Sequence, residues 1–439
     1  MKVGIIGGGA AGLAAGYELI KRGHSVDVFE RAPFLGGQAS TFEVGGARLE
    51  KGYHHLFMSD QYMVDIINDL GLGDSLQWIT SKVGLYHGGR IWNWATPWDL
   101  LRFKPLSLFD RLRLGLVTLY LQRKKQWEKF EHVTAKEWLE KRVGNNVYRV
   151  VWEPLLRGKF GEYYDQVSMA WLWNKLHLRV SSRGKPWQKE KLGYPMVSFG
   201  EVFDSLGRYI ESNGSEVHVS AEVNKVIVEE GKVAGLEISL SGHDPEVRKY
   251  DAVIATVPSY VFKKLVSELP GHYQEKLTNV NYLAAVLMIL VLDRPLTSFY
   301  WLNVADGDLP FVGVIEQTNF VDPSHYGGRH IVYLTNYPSR DNPLYAINGE
   351  ELLNTITPHL KNLNPDFEPS WIKEYYHHRV DAAQPVIGVN YSERIPDTST
   401  PIKGLYLANT TQIYPEDRGT NYSVRLGRQV AKTAIENFE

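Results

Sequence analysis

The sequence predicts an α/β fold: a parallel sheet with helices against it, built from both ends of the chain and interrupted by an inserted α+β unit. Three observations predict it. Residues 2–29 run strand, glycine turn, helix, strand, and residues 404–437 run strand, then helix. Between them the patterning changes, to helical apolar spacing over 100–143 and a continuous apolar run at 283–292. At 439 residues the chain is also too long for one core, which leaves room for about two to three structural units.

The elements follow in order. KVGII, residues 2–6, has no polar alternation and reads as a buried strand. GGGAAG, Gly7 to Gly12, follows, then a helical stretch over 13–22 closed by Gly23, then a second strand, SVDVF, at 25–29. Gly7 permits the turn out of the strand, Gly9 lets backbone approach a pyrophosphate, and Gly12 lets the helix lie close to the sheet. Ala11 belongs to the same turn. The helix start offers unpaired N–H groups and a positive dipole end to phosphates. Glu30, 18 residues beyond Gly12, is placed to take ribose hydroxyls. This is a Rossmann-like dinucleotide-binding unit.

Beyond the acid, residues 30–38 read ERAPFLGGQ. Here the chain resembles the large flavoprotein family that includes amine oxidases, protoporphyrinogen oxidase, phytoene desaturases and UDP-galactopyranose mutase. The resemblance implies a glutathione-reductase-type fold holding FAD non-covalently. Gly36 and Gly37 match the family's second glycine pair, beside Arg31. Gln38 departs from it, an amide standing where a cation is usual. Residues 45–57, GGARLEKGYHHLF, are similar to the segment that runs along the isoalloxazine, which implies cofactor contacts for Gly52, Tyr53 and His54. The hairpin beginning at 217–228 resembles the adenine-side segment, with Val223 as the implied contact. Residues 404–432 resemble the segment that closes the site. Asn409 stands where the family has an acid on the ribitol chain. Gly419, Thr420 and Asn421 open a helix expected over 422–437, aimed at the flavin N1–C2=O edge, where a helix dipole favours the reduced state.

The flavin-binding segments are discontinuous, about 1–80, 195–265 and 395–439. The inserts, 81–194 and 266–394, are expected to form the substrate domain. No second GxGxxG occurs, so electrons must pass to or from a freely bound molecule. Classical amine oxidases carry a lysine on the strand that 285–296 resembles. That position falls on Leu287, which argues against oxidation of a simple amine. Residues 152–179 resemble a substrate-contacting stretch of protoporphyrinogen oxidases and UDP-galactopyranose mutases. Arg157, Lys159, Tyr163 and Arg179 are candidate contacts there, suited to an anionic, sugar-like or lipid-linked small molecule.

Composition excludes several classes. There is no cysteine, hence no disulfide, thiolate metal site or cysteinyl flavin. His54 and His55 have no further ligand at metal spacing, so no metal is expected. They are the candidate proton acceptors, since an imidazole ordinarily titrates near neutrality. The net charge of −2 offers no attraction to nucleic acid. Met1 leads straight into a strand, and a cytoplasmic location is expected. Residues 102–125 mix apolar side chains with Arg and Lys, and could rest as one amphipathic helix on a membrane surface. The expected activity is hydride transfer from a substrate carbon to flavin N5. The alternatives are a mutase-like sugar isomerisation without net redox, and a non-catalytic flavoprotein.

Overall fold

Both ends of the chain, together with a middle segment, build one five-stranded sheet. The computed structural model describes residues 1–181, 189–240 and 242–438. The strand order is Glu216–His218, Ser25–Phe29, Lys2–Ile6, Ala252–Ala255 and Leu405–Leu407, every neighbouring pair parallel. Lys2–Ile6 is central and buried after its first residue, as its unbroken apolar sequence requires.

The first helix, Ala10–Ile20, starts inside the glycine turn, three residues before the stretch that helical spacing marks out. The terminal helix, Thr420–Glu436, likewise starts two residues early. The two cross closely. A Cβ built on Gly427 would lie 2.1 Å from the Ala11 carbonyl oxygen, so glycine sets that spacing.

A second sheet has seven strands and is mixed. Its order is Ile372–Pro385, Tyr282–Leu292, His330–Asn336, Gly313–Glu316, Trp301–Val304, Val83–Tyr86 and Ile91–Asn93. Tyr282–Leu292 is buried beyond its first residue, being paired on both sides. One apolar core runs without interruption from the parallel sheet to this strand, through Val3, Leu13, Leu49, Leu287 and Tyr333. The site lies along that seam.

The first insert is helical, but in pieces: Pro97–Arg102, Leu108–Arg123 and Ala135–Val143. The single helix expected over 102–125 is broken. Lys104 precedes Pro105, which disfavours helical backbone at Lys104, and the intervening turn buries Phe103 and Leu106. Ser107 then caps the second helix by accepting from the Asp110 amide at 3.1 Å. Among the described residues, no helix is long and apolar enough to cross a membrane.

Candidate active site

A cavity of about 1000 Å³ opens at the C-terminal ends of the parallel strands, the end where such sheets bind ligands. Two glycine turns form one wall. Gly7, in the left-handed region at φ 108°, carries the chain out of the first strand. Gly36 donates to the Gly8 carbonyl at 2.9 Å. A Cβ on Gly37 (φ 56°) would sit 3.2 Å from the Cα of Gly9. The two glycine motifs, 28 residues apart, therefore touch backbone to backbone, and side chains there would force them apart.

Glu30 closes this wall. One carboxylate oxygen accepts from the Gly8 amide and the other from the Ala32 amide, both at 2.8 Å. A carboxylate has about four acceptor positions, so capacity remains for a diol in the cavity that Glu30 lines.

Two helix N-termini meet the cavity. Gly9 caps the first helix and Gly419 the terminal one. Neither has a side-chain cap, and neither helix has an acid in its first turn. No side chain among the described residues caps those first N–H groups, so each offers a site for negative charge. A dinucleotide with one anionic middle and one electron-rich ring edge suits such a pair.

A buried charge cluster adjoins the cavity. Lys159, on the helix Glu153–Phe160, and Lys175, on the helix Met169–Ser181, reach one oxygen of Asp417 at 3.2 and 2.7 Å. The other Asp417 oxygen accepts from the Trp171 indole at 3.2 Å. Arg418, next in sequence, lines the cavity and donates to Gln384 at 3.2 Å. Burial would raise the Asp417 carboxyl, but the charges of Lys159, Lys175 and Arg418 outweigh it and hold the group well below the usual carboxylate range. Burial lowers Lys159 to about 7, against the pull of Asp417. The Asp417 side chain is only 9% exposed, whereas Lys159 and Lys175 keep 21% and 33%. The cations are thus the more accessible members of the cluster.

Residues 10–432 match the family described as flavin containing amine oxidoreductase. The chain belongs to this family. It is similar, at 24% identity over 93% of this chain and 90% of the relative, to mitochondrial protoporphyrinogen oxidase of Nicotiana tabacum. Among solved structures it is similar in fold to a putative protoporphyrinogen oxidase from Exiguobacterium (TM-score 0.78, 18% identity, 99% of each chain). A reduced UDP-galactopyranose mutase is also similar (TM-score 0.77, 15% identity, 99% of this chain and 95% of that one).

The protein is a flavin-dependent oxidoreductase whose cofactor is FAD, and the sequence-derived contacts divide accordingly. Gly7, Gly9, Ala11, Glu30, Arg31, Gly36, Gly37, Gln38, His54, Val223, Asn409, Gly419 and Thr420 line the cavity. Gly12 acts from behind it: a Cβ there would lie 1.9 Å from the Gly7 carbonyl oxygen. Asn421 turns away and accepts from the Met63 amide at 3.1 Å. The Asn409 side chain is spent on the fold, accepting from the Thr411 amide and donating to the Val257 carbonyl, both at 3.0 Å. The Gln38 amide donates to the Ala382 carbonyl at 2.8 Å and ties its turn to the second sheet.

His54 donates from Nδ1 to the Gly52 carbonyl at 2.6 Å, which leaves Nε2 as an acceptor. Burial lowers His54 to about 4. Burial, aided by the charges of Arg179 and Lys175, lowers His55 to about 3. The titration near neutrality expected of this pair is therefore corrected: both are neutral at pH 7. His55 Nδ1 meets the Tyr300 hydroxyl at 2.9 Å, inside the core. The Tyr53 and Tyr337 hydroxyls share a hydrogen bond at 2.7 Å. Leu287 lies behind Gly52, its Cδ2 3.8 Å from where a Cβ on that glycine would stand.

Arg157 faces outward, paired with Glu153 at 2.9 Å and stacked on Tyr164. Tyr163 packs on the helical core, and Trp173 donates to the Leu121 carbonyl within that core. Sequence reasoning missed Lys175, Asp417 and Arg418, and also Lys264, Arg340 and Arg379 on the cavity lining.

Replacing Glu30 with alanine should weaken FAD binding roughly ten- to hundredfold, the loss of a charge-assisted hydrogen bond of about 1.5–3 kcal/mol. Fluorescence titration of the apoprotein with FAD checks this.

Proposed function

We propose that the enzyme dehydrogenates an anionic small molecule, with a diffusible oxidant as final acceptor. The convergence of Lys159, Lys175 and Arg418 beside the cavity carries this reading. Residues 1–80, 195–265 and 395–439 form the cofactor unit, of glutathione-reductase type, and 81–194 and 266–394 the substrate unit. FAD, when bound, supplies a two-electron acceptor at N5. The protein's own part is to hold and orient. Lys159 and Lys175 take the substrate's carboxylate or phosphate, and Asp417 keeps both ammonium groups near one point. Arg179, close enough to depress His55, extends the cationic wall. Neutral His54 offers Nε2 as a hydrogen-bond acceptor. The terminal helix favours negative charge at its N-terminus. The relatives named protoporphyrinogen oxidase make a flat, carboxylate-bearing ring compound the first substrate class to assay.

The same cations would suit a sugar phosphate, which is the observation favouring isomerase chemistry of the mutase kind. Acceptor stoichiometry separates the two. Reduction of one two-electron acceptor per substrate consumed is the expected result. Turnover by pre-reduced enzyme with no acceptor consumed would overturn it.

The pH dependence follows from Lys159. It is charged below about 7 and neutral above, so substrate affinity should be highest in mild acid and fall as pH rises through 7. KM should climb over that interval with kcat less affected, and Lys159→Met should flatten the profile. A wild-type KM that is constant from pH 6 to 8 would contradict the assignment.

A further inference from the structure

We infer that the face formed by the helices Pro97–Arg102 and Leu108–Arg123 docks the protein on an anionic lipid bilayer. Among the described residues, eight of the fifteen exposed large apolar side chains fall between Trp98 and Tyr120. Six of them lie on the longer helix: Leu108, Phe109, Leu112, Leu116, Leu119 and Tyr120. At about 100° per residue they share one arc of about 120°. Phe109 and Leu116 are 72% and 68% exposed. The buried residues of this helix, Leu114 and Leu121, point to the opposite side. The helix thus has one apolar face on the core and a second facing outward. A helix apolar on both sides is ordinarily covered on both.

Charge identifies what covers it. Arg102, Lys104, Arg123 and Lys125 are exposed around the apolar arc. Beside the shorter helix a crevice of about 730 Å³ is lined by Lys82, Arg102 and Lys189, and a smaller one by Arg90, Arg102 and Lys104. Asp99 lines both, but one oxygen of its carboxylate already accepts from the Ala95 and Thr96 amides and the Thr96 hydroxyl. Cations surrounding exposed leucines, with Trp98 and Tyr120 near the ends of the patch, match a surface of anionic headgroups over hydrocarbon. A second copy of the chain would bring the same cations to the rim, like charge facing like. This inference does not depend on which substrate the site turns over.

The test is co-sedimentation of the full-length holoenzyme with phosphatidylcholine vesicles, with and without a third phosphatidylglycerol. Binding to the anionic vesicles, weakened in half-molar salt and absent with neutral ones, is expected. Each cation removed, as in Arg123→Glu or Lys125→Glu, should cost about fivefold or more in partitioning. L112E/L116E should abolish binding with flavin content and melting temperature unchanged, since both side chains are exposed. Wild-type protein that ignores anionic vesicles would overturn the inference, as would a double variant that still binds. So would a wild-type dimer in sedimentation velocity that ignores vesicles and becomes monomeric in the double variant, which would assign the face to self-association.

Discussion

Asp417→Ala should destabilise the protein by about 3–5 kcal/mol, the usual cost of removing one partner from a buried ion pair. The size follows from what remains. Lys159 and Lys175 lose their shared counter-charge, and Arg418 stays among Tyr53, Tyr337 and Gln384 with no anion beside it. For a chain this long each kcal/mol moves the melting temperature by about 1 °C, so a fall of roughly 3–5 °C is expected in calorimetry. Sulfate at matched ionic strength should restore part of it in the variant and little in the wild type, because the orphaned cations then need an anion. Asp417→Asn, which keeps a partner for the Trp171 indole, should lose nearly as much. If the charge is what matters, only an anion repairs the variant. An unchanged melting temperature would show that the cations are already well solvated.

Gly12→Ala should abolish flavin binding. Alanine is the better helix former, by about 1 kcal/mol, so helix propensity alone predicts a more stable protein. The geometry predicts the reverse. The added Cβ would lie 1.9 Å from the Gly7 carbonyl oxygen and 3.1 Å from its carbon, both backbone atoms of the turn. Neither can swing aside as a side chain could. The helix must move off the turn, and its N-terminus then loses its aim into the cavity. Protein purified from this variant should carry less than about a tenth of the wild-type flavin. It should still be folded, because the helix keeps its contacts with the terminal helix and the sheet.

Much of the cavity's glycine wall was legible because its residues are close in sequence. Gly7, Gly9, Glu30, Gly36 and Gly37 fall within 31 positions, and glycine spacing at a strand-to-helix junction has few other meanings. That the two glycine turns touch was not legible, since it needs coordinates for both. The substrate side was harder. Arg157 and Lys159 were both read as candidate substrate contacts. Residues two apart on a helix diverge by about 200°, so only one of them can face inward, and it is Lys159. That signal was in the sequence. Lys175, Asp417 and Arg418 could not be brought together from it, because the helix and the loop that carry them lie some 240 residues apart. Asn409 was read for its likeness to an acid, yet its amide is consumed by Thr411 and Val257, a use visible only in the fold. The break at Pro105 was also readable, but a run of apolar and basic residues hid it.

The most direct measurement is the visible spectrum of the protein purified without added cofactor, with the released chromophore identified by mass. One FAD per chain in the wild type, lost in Gly12→Ala, is the predicted result. A wild-type protein that is colourless and takes up no FAD when it is supplied would contradict the account at its centre.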